Sequence, residues 1–403
     1  MDLSLCILSP YQIFPPLTGG SVRIFNLVKN LSELGCFVNL VLPSRVNEDL
    51  LDKYRFKNLQ IINLQLVKDN IKDFFDGYAP VRYIPLRFSF IFLRVLKYLK
   101  RLKAFNSDII QSEELWPAMH ALSMKRLQQG KIILDSPNVE TLRIYREYKY
   151  GHKSWELVRG INLVEKFLCK RFNQILTTSY FDKRTFCKFH NVSPDRISII
   201  ENGVDIRQFK PNKREGQTVR SKLGIDEMTP IIIFLGNYNY PPNLDAAHFI
   251  IKEIYPEVVK RIKNAVFIFT GSHSPFWLKR MEDKNIMVIG WVRDIQAYIN
   301  AANVCIAPIR FGSGTRIKIL EYMACGKPVV STKIGAEGLE VTDREHILLE
   351  DEPDKFAESI VSLIENDSMS NKLGERANIL VGKTYDWKAI VKKLVVLYEK
   401  ILE

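Results

Sequence analysis

The sequence predicts an α/β protein made of two domains, each built on a doubly wound parallel sheet. Its 403 residues exceed the ~250–300 residues at which a single hydrophobic core usually stops growing. Short apolar segments alternate with helix-forming sequence, and this alternation is interrupted once and then restarts. Hydrophobic residues make up 46% and charged residues 26% of the chain, which is typical of a globular protein in water.

The first half of the chain contains five short apolar segments that predict strands. Each is followed by polar or helix-forming sequence, which favours parallel pairing and a ligand-binding edge where the strands end. These segments occupy residues 3–9, 37–43, 108–113, 131–136 and 174–179. After the first strand, a Pro/Gly loop carries Gly19 and Gly20, and a helix is predicted over residues 22–35.

The second half repeats the alternation after a charged, turn-rich segment. Strands are predicted at residues 231–236, 265–271, 286–292, 304–309 and 346–350, with a helix at 243–262. We therefore predict a first Rossmann-like domain, a linker, a second Rossmann-like domain and a final amphipathic helix that packs back on the first domain. Their predicted bounds are 1–205, 206–228, 229–385 and 386–403.

The net charge of +13 is unevenly distributed. Residues 1–205 hold 30 Lys and Arg against 20 Asp and Glu, which predicts an anionic partner or surface for this half. Residues 81–105 alone carry seven basic residues and no acidic one. Two interpretations stay open for this segment: a core helix with a solvated face, or a contact with the inner surface of a membrane.

The six cysteines are scattered and form no C-x-x-C pair, which favours reduced thiols in the cytoplasm over disulfides or a zinc site. Cys325 is interpreted as a small buried residue. The N-terminus has no basic region ahead of an apolar core, and no apolar run approaches the ~20 residues that span a bilayer. We therefore expect a cytoplasmic protein.

One stretch, FGSGTRIKILEYMACGKPVVS at residues 311–331, predicts an anion site. A strand ends before it, glycines allow a tight turn, and backbone amides at Gly314, Thr315 and Arg316 are expected at the start of a helix. Arg316 and Lys318 add positive charges suited to two phosphates. Glu321, one helical turn after Lys318, could accept hydrogen bonds from adjacent ribose hydroxyls. Together these features predict a nucleotide site.

Other polar residues follow strands of the first domain. Glu113 ends one strand and His120 lies seven residues beyond it, and both are weak candidates for catalysis. Asp135, Asn138 and Glu140 follow the next strand. For these three residues, contact with an acceptor or donor sugar and capping or turn roles are both open.

Several motifs resemble those of the retaining family 4 glycosyltransferases, which have the GT-B fold. The most specific is GWVRDIQAYINAANVCIAPIRFGSGTRIKILEYMACGKPVV, residues 290–330. Residues 199–211, with N-G-V-D, resemble the family's turn between domains, and TGGSVRIFNLVKNLSELG resembles its N-terminal glycine loop and first helix. The likeness extends over nearly the whole chain.

This resemblance implies that the second domain binds a nucleotide-diphosphate sugar. Glu321 would hold the ribose, Gly20 would approach the diphosphate beside Gly19, and Arg316 and Lys318 would stabilise the leaving group. The matching turn and loops add Asn202, Gly203, Gly236 and Ser313 to the donor contacts. The resemblance also implies no metal and no cofactor, because cations replace the metal, and no protein base, because the donor phosphate can deprotonate the acceptor.

Two departures from the family pattern affect the donor site. Ser313 stands where many members have the first of two glutamates, leaving only Glu321. The Arg and Lys that many members carry after the first strand of the second domain are missing from FLGNYNYPPNLDA. We therefore expect Arg316 and Lys318 to supply the positive charge for the diphosphate.

The predicted function is transfer of a sugar from a nucleotide-diphosphate sugar to a lipid-linked or polysaccharide acceptor of the cell envelope. A nucleotide-sugar epimerase of the same fold stays open as an alternative. A nucleic-acid-binding protein is less favoured, because the basic residues alternate with core aliphatics and no nucleic-acid motif is present.

Overall fold

The computed structural model describes residues 3–46, 54, 56–63, 106–125 and 129–403. The chain divides into two compact units. The first comprises Met1–Asn202 and Trp387–Glu403, and the second Gly203–Asp386. The basic segment at 81–105, predicted as a membrane contact or a core helix, lies outside the described residues.

The first unit is built on a seven-stranded parallel sheet in the order β3-β2-β1-β4-β5-β6-β7. The chain runs outward from β1 to β3 and then returns to add β4 on the other side of β1. The strands are β1 (Ser4–Leu8), β2 (Phe37–Leu42), β3 (Leu59–Asn63), β4 (Ile109–Glu113), β5 (Lys131–Asp135), β6 (Gln174–Thr177) and β7 (Ile197–Ile199). All five strands predicted for this half are present, and the short strands β3 and β7 at the two edges were missed.

The helices described for this unit cover the sheet and supply much of its apolar core. They are α1 (Gly19–Glu33), α2 (Ala118–Lys125), α3 (Glu140–Lys149), α4 (Trp155–Cys169) and α5 (Tyr180–His190), with a short 3-10 turn at Pro194–Arg196.

Helix α1 begins three residues earlier than predicted. Thr18 caps it: the Thr18 side chain accepts from the Ser21 amide, and the Ser21 hydroxyl accepts from the Thr18 amide at 2.8 Å. This reciprocal capping satisfies amides at the helix start. Gly19 and Gly20 are therefore the first helical residues, and the prediction that they lie in a loop is wrong.

The final helix, α14 (Trp387–Leu402), belongs to the first unit. Its buried side chains, including Trp387, Leu394 and Tyr398, join the core formed by β1, β2 and α1. The apolar spacing predicted from the sequence supplies this face, with Leu397 and Ile401 only partly buried at its margin.

The second unit has a six-stranded parallel sheet in the order β10-β9-β8-β11-β12-β13. Five of its strands coincide with the predicted segments, and β12 lies in the stretch that predicted the anion site. The strands are β8 (Ile231–Leu235), β9 (Val266–Thr270), β10 (Ile286–Gly290), β11 (Val304–Ala307), β12 (Val329–Ser331) and β13 (Leu348–Leu349).

The helices of the second unit follow in the order that alternation requires. They are α6 (Lys213–Leu223), α7 (Pro241–Phe249), α8 (Tyr255–Arg261), α9 (Phe276–Lys279), α10 (Ile295–Ala301), α11 (Ile317–Ala324), α12 (Pro353–Glu365) and α13 (Asp367–Thr384). The single helix predicted over 243–262 is interrupted by a π-helical turn at Ile250–Ile254. Pro256 follows directly, and its missing N–H prevents a regular hydrogen bond to the preceding turn.

The segment predicted as a linker, residues 206–228, is part of the second unit instead. Helix α6 packs against α10, and a Cβ at Gly216 would lie only 2.5 Å from the carbonyl oxygen of Asn300. The absence of that atom lets the two backbones come close together. Phe209 and Val219 are buried in the unit's core, so this segment gains stability from packing that its charged sequence did not indicate.

We predict that Gly271, just after β9, is required by the fold. Its φ is +131°, and a Cβ there would lie 1.8 Å from the carbonyl oxygen of Gly236 at the end of β8. Gly271→Ala should therefore lower the free energy of unfolding by at least about 2 kcal/mol, from backbone strain and steric conflict. Urea denaturation followed by circular dichroism measures this change.

The matched control is Gly382→Ala in helix α13. A Cβ at this position meets no atom within 4 Å, and its φ is ordinary. Alanine should stabilise the helix by up to about 1 kcal/mol because it loses less conformational entropy on folding. Equal effects of the two substitutions would contradict the close approach of the β8 and β9 ends.

Candidate functional site

Each sheet has one point where the strand order reverses. In the first unit it lies between β1 and β4, and in the second between β8 and β11. In open parallel sheets the loops leaving the strands on either side of such a point diverge and leave a crevice, where ligands bind. The residues that follow these four strands are therefore the ones to compare with the predicted site.

In the second unit, helix α11 holds the end of β8. The β8–β11 ladder pairs only Ile232 with Val304 and Ile233 with Cys305, and then ends. Beyond it, the N–H of Leu235 donates to the Tyr322 hydroxyl at 2.9 Å, and its carbonyl accepts from the Lys318 ammonium. Side chains one helical turn apart thus replace the missing strand partner.

Lys318 also donates to the Asn243 side-chain oxygen at 2.8 Å and lies 4.5 Å from the centre of the Phe234 ring. Burial lowers the pKa of Lys318 to about 7, and the positive charge of Arg316 acts in the same direction. The ammonium predicted to bind a diphosphate is therefore at the switch point, but it is close to losing its proton at neutral pH.

Glu321 follows Lys318 by one turn of α11 and is partly buried. Burial raises its pKa to about 7, and the positive charge of Lys318 opposes this increase only in part. An ionisable acid and an ionisable base thus share one face of a helix whose start is at the crevice. This arrangement agrees with the sequence prediction for the two residues.

The loop before α11 is closed by its own residues. Gly312 and Gly314 have φ values of 114° and 76°, which favour glycine. The Arg316 guanidinium donates through Nη1 to the carbonyls of Ser313 and Gly314, and Thr315 is buried beside them. The helix begins at Ile317, so the amides predicted at its first turn precede it, and Arg316 stabilises the loop as well as adding charge.

Three hydroxyl groups of the second unit are buried without a hydrogen-bond partner among the described residues. They belong to Ser313 in this loop, to Tyr238 in the loop after β8 and to Ser274 in the loop after β9. Unsatisfied buried hydroxyls cost free energy, so such atoms are often satisfied by a ligand or water. Ser313 is the residue that replaces the glutamate common in the family.

Three other residues predicted to contact the sugar donor lie in close contact with their own unit. Gly236 has little room for a side chain, since a Cβ there would lie 3.2 Å from the Cβ of Asn243. Asn202 belongs to the first unit, where its side-chain oxygen accepts from Arg23 at 3.1 Å. Gly203 is the first residue of the second unit and precedes Val204, whose N–H donates to the Tyr385 carbonyl at 2.8 Å.

In the first unit, Asp135 at the end of β5 forms a bidentate ion pair with Arg23, both contacts being 3.0 Å. Both side chains are completely buried, and Arg23 also donates to the carbonyls of Ile200 and Glu201. Asp135 therefore has a structural role, because both of its carboxylate oxygens accept hydrogen bonds from Arg23.

The two neighbouring candidates are also held by local contacts. Glu140, the first residue of α3, pairs with Arg143 at 2.7 Å. The carbonyl of Asn138 accepts from the Ser136 hydroxyl at 2.8 Å, as in a turn. Asn138 thus takes part in a turn, whereas the first amides of α3, those of Glu140 and Thr141, donate to the Glu165 carboxylate at 2.8 and 2.9 Å.

Glu113 and His120, the weak catalytic candidates, lie in the interior. Glu113 accepts from the Gln111 amide at 2.6 Å, and burial beside the negative charge of Asp135 raises its pKa well above the usual range. His120 is buried in α2, and neither ring nitrogen has a hydrogen-bond partner among the described residues. Burial lowers the pKa of His120 to about 4, so it is neutral at physiological pH.

The residue that reaches the first unit's switch point is Glu114, which the sequence did not single out. It follows β4 with a φ of 64° and accepts from the Tyr11 hydroxyl at 2.5 Å. A Cβ on Gly20 would lie 2.8 Å from the Tyr11 ring and 3.1 Å from the Glu114 carboxylate. Gly20 thus makes room for this pair, and burial raises the pKa of Glu114 to about 7.

Sequence reasoning also missed Asn243 and Tyr322, the partners of Lys318 and Leu235. Asn243 belongs to the P-P-N-L-D-A run after β8, the segment from which the family's Arg and Lys are missing. Tyr322 follows Lys318 by four residues, the spacing that places two side chains on one helix face, and this signal could have found it.

The described residues contain neither a candidate metal cluster nor a membrane-spanning helix. Within the ranges given above, no group of three or more His, Cys, Asp or Glu side chains could hold a metal ion. No helix in those ranges is long and apolar enough to cross a membrane. The cysteines there are free, and burial raises the pKa of Cys325 to about 12.

Comparison with known families assigns the chain to a class of protein. Residues 17–208 match the model described as Glycosyltransferase Family 4, and residues 229–366 match the one described as Glycosyl transferases group 1. The chain belongs to this family of glycosyltransferases.

Curated relatives are distant. The D-inositol 3-phosphate glycosyltransferase of Corynebacterium glutamicum is 25% identical over 52% of this chain and 53% of its own length. The first relatives found, including the phosphatidyl-myo-inositol mannosyltransferase of Mycobacterium tuberculosis, are thus matched over about half their length. The UDP-Gal:alpha-D-GlcNAc-diphosphoundecaprenol alpha-1,3-galactosyltransferase of Escherichia coli is 23% identical over 75% of this chain and 76% of its own.

Solved structures show the fold. Anabaena HepE, solved in complex with UDP and glucose, has a TM-score of 0.72 at 14% identity, covering 99% of this chain and 100% of its own. The sucrose-phosphate synthase of Thermosynechococcus elongatus has a TM-score of 0.78 at 14% identity, covering 99% of both chains. The protein therefore has the two-domain α/β GT-B fold, as predicted.

We predict that Asp135 stabilises the first unit. Asp135→Ala leaves the Arg23 guanidinium buried without its counter-charge, which should lower the free energy of unfolding by roughly 3–5 kcal/mol. Asn138→Ala, three residues away, should change it by no more than about 0.5 kcal/mol. Urea denaturation of the two variants checks this, and equal stabilities would contradict the structural role of Asp135.

Proposed function

We propose that this protein transfers a sugar from a nucleotide-diphosphate sugar to a lipid-linked or polysaccharide acceptor in cell-envelope glycan synthesis. The observation that carries the proposal is the arrangement at the second unit's switch point. There Lys318 and Glu321 share one face of α11, beside a glycine loop that contains Arg316 and an unsatisfied Ser313 hydroxyl.

The donor is assigned to the second unit because charge and hydrogen-bonding groups of the right kind meet there. Lys318 can donate to a phosphate oxygen, and Glu321 can accept from two ribose hydroxyls. The complexes of Anabaena HepE with UDP-glucose support this class of donor. Glycines at positive φ shape the loop that precedes the helix start, where backbone amides favour an anion.

Lys318 offers a physical substitute for the cations missing after β8. Its ammonium comes from α11 but lies on the carbonyl of Leu235, the last residue of β8. A cation thus occupies the end of this strand although none is encoded in the residues that follow it. We propose that Lys318, with the nearby charge of Arg316, stabilises the diphosphate leaving group without a metal ion.

We further propose that the reaction retains the anomeric configuration and uses no protein base. The interior positions of Glu113 and His120 support this, since neither of these two candidates is available to a hydroxyl in the crevice. Glu114, which reaches the first unit's crevice, is proposed to hydrogen-bond the acceptor and not to take its proton. The donor's own phosphate oxygen would take the acceptor proton on the face from which the leaving group departs. Lys318 and Arg316 would stabilise the charge that develops there.

The acceptor class is supported by the relatives. The Escherichia coli galactosyltransferase is named for a diphosphoundecaprenol-linked acceptor, and the mycobacterial mannosyltransferase for a phosphatidylinositol. We propose a similar lipid-linked or glycan acceptor here, and a cytoplasmic enzyme that associates peripherally with the membrane. The segment at 81–105 remains one predicted site of that association.

Two alternative functions predict different behaviour. A nucleotide-sugar epimerase would convert its donor without any acceptor, and would need acid and base groups at the reacting carbon. A nucleic-acid-binding protein would show salt-sensitive binding to DNA or RNA and no saturable binding of a nucleoside diphosphate. Neither is favoured by a specific contact among the described residues.

We predict that binding of UDP or GDP at pH 8 is coupled to uptake of a proton by Lys318. In the free protein its pKa is lowered to about 7, so the amine is mostly neutral at pH 8. A bound diphosphate raises that pKa and draws a proton onto the amine, while phosphates with a pKa of about 6 are already ionised. Calorimetric titration in buffers of different ionisation enthalpy should therefore give an uptake approaching one proton.

Three variants test whether Lys318 both binds the diphosphate and takes up the proton. Lys318→Arg keeps the charge but cannot deprotonate, so it should bind the diphosphate with little proton uptake. Lys318→Met should weaken binding at least tenfold, whereas Lys260→Met, on the exposed surface of the same unit, should leave binding and uptake unchanged. Normal binding by Lys318→Met would contradict the assigned role of Lys318.

We predict that the product of the transferase reaction has the same anomeric configuration as the donor. NMR of the product formed from an α-linked nucleotide sugar measures this directly, because the mechanism delivers the acceptor to the face that the leaving group vacates. Activity should persist in EDTA, since protein cations take the place of a metal. An inverted product, or activity lost in EDTA and restored by a divalent cation, would contradict these two proposals respectively.

A further inference from the structure

The outer helices of the first unit expose an unusual amount of apolar surface. Helix α4 presents six residues along one side at helical spacing, and we call these the aromatic–basic face: Trp155, Arg159, Leu163, Lys166, Phe167 and Lys170. Its apolar members are exposed, and Leu163 keeps 66% of its surface in contact with solvent. Scattered single apolar residues are normal on a protein surface, but a continuous line of them is not.

Neighbouring helices extend this face with the same chemistry. At the end of α3, the exposed Tyr148 ring lies 5.6 Å from that of Trp155. Tyr180 and Phe181, at the start of α5, are also exposed, and the Arg146 guanidinium of α3 lies 5.8 Å from the Phe181 ring. These contacts join three helices into one surface.

The charge of this surface is almost entirely positive. Residues 146–188 contain ten Lys and Arg against four acidic residues. Glu147, Glu165 and Asp182 are buried, which leaves Glu156 as the one exposed acid in that range. Part of the positive excess predicted for the first half of the chain thus lies where apolar side chains are also exposed.

This combination selects among possible partners. Protein interfaces are depleted in lysine, whereas Lys149, Lys166 and Lys170 border the exposed rings here. Nucleic acid would be attracted by the charge but would gain little from covering Leu163 at the centre of the line. A bilayer with anionic lipids accounts for both the positive charge and the exposed apolar side chains. Rings and aliphatic groups enter the headgroup region, while flexible cations reach the lipid phosphates.

We propose that the aromatic–basic face binds the surface of an anionic phospholipid bilayer. Helix α4 lies parallel to the membrane plane, with Trp155, Leu163 and Phe167 inserted and Arg159, Lys166 and Lys170 at the level of the phosphates. From Trp155 to Lys170 the face is roughly 22 Å long, at 1.5 Å per residue. The proposal is independent of sugar transfer and concerns described residues other than the predicted membrane segment at 81–105.

The test is co-sedimentation of the full chain with vesicles of phosphatidylglycerol and phosphatidylcholine, without any sugar donor. The wild-type protein should bind the mixed vesicles and should bind pure phosphatidylcholine at least tenfold more weakly. The triple variant Trp155→Ser/Leu163→Ser/Phe167→Ser should lose at least tenfold in vesicle affinity. The charge variant Arg159→Glu/Lys166→Glu/Lys170→Glu should lose at least as much, because exposed cations are attracted to anionic lipid.

A matched control removes exposed apolar surface elsewhere. Met228 and Phe276 of the second unit are 86% and 71% exposed, and the double variant Met228→Ser/Phe276→Ser should bind vesicles as the wild type does. All variants should keep the wild-type circular dichroism and unfolding temperature, because the substituted side chains are exposed.

Three outcomes would overturn the proposal. Unchanged vesicle binding by both triple variants would show that the face does not contact lipid. A lowered unfolding temperature with unchanged vesicle binding would mean that another part of this chain covers the face. Equal affinity for a mixed-sequence RNA of the same charge density, lost in the charge variant but kept in the apolar one, would assign the face to nucleic acid.

Discussion

The candidate site depends on how the peptide groups of Leu235 are satisfied. Strand β11 separates from β8 two residues before this point, so Leu235 has no strand partner on that side. Helix α11 supplies both partners, with Tyr322 accepting its N–H and Lys318 donating to its carbonyl. Since an unpaired buried peptide group costs about 1–3 kcal/mol, this contact fixes the helix start against the strand end. The loop between β11 and α11 must then close over a short distance, which explains its two glycines at positive φ.

The same contact determines the charge of the site. Holding Lys318 against a carbonyl and an aromatic ring removes it from water, and holding Glu321 on the same face removes that carboxyl too. Both pKa values are therefore brought to about 7, one from above and one from below. A pair of this kind can be neutral without ligand and become charged when a diphosphate and a ribose arrive. The residues that build the crevice are thus also the ones proposed to respond to the nucleotide.

The local part of this arrangement could be predicted from the sequence, and the distant part could not. Helical spacing places Lys318 and Glu321 on one face, and the apolar segments predicted the strands of the second sheet, including β12 after Pro328. No local pattern indicates that Lys318 contacts a carbonyl 83 residues away, or that Arg23 pairs with an aspartate 112 residues away. Glu113 was the candidate because it ends the predicted strand, although Glu114 beside it is an acid as well. Only the structure shows that Glu113, the last residue of β4, accepts from Gln111, and that Glu114, the next residue, accepts from Tyr11 at the crevice.

Burial also explains why the acids of the first unit do not make its crevice strongly negative. Asp135 is neutralised by Arg23, and burial raises the pKa of Glu113 and Glu114, so these carboxyls carry less charge than their number implies. The basic residues of α3 to α5 lie outside this region, and most of them are exposed. The exposed basic residues of the outer helices are thus the part of the first unit proposed to attract an anionic bilayer. The weakly charged crevice beside Glu114 is proposed to receive the neutral hydroxyls of an acceptor, which can donate to its carboxylate.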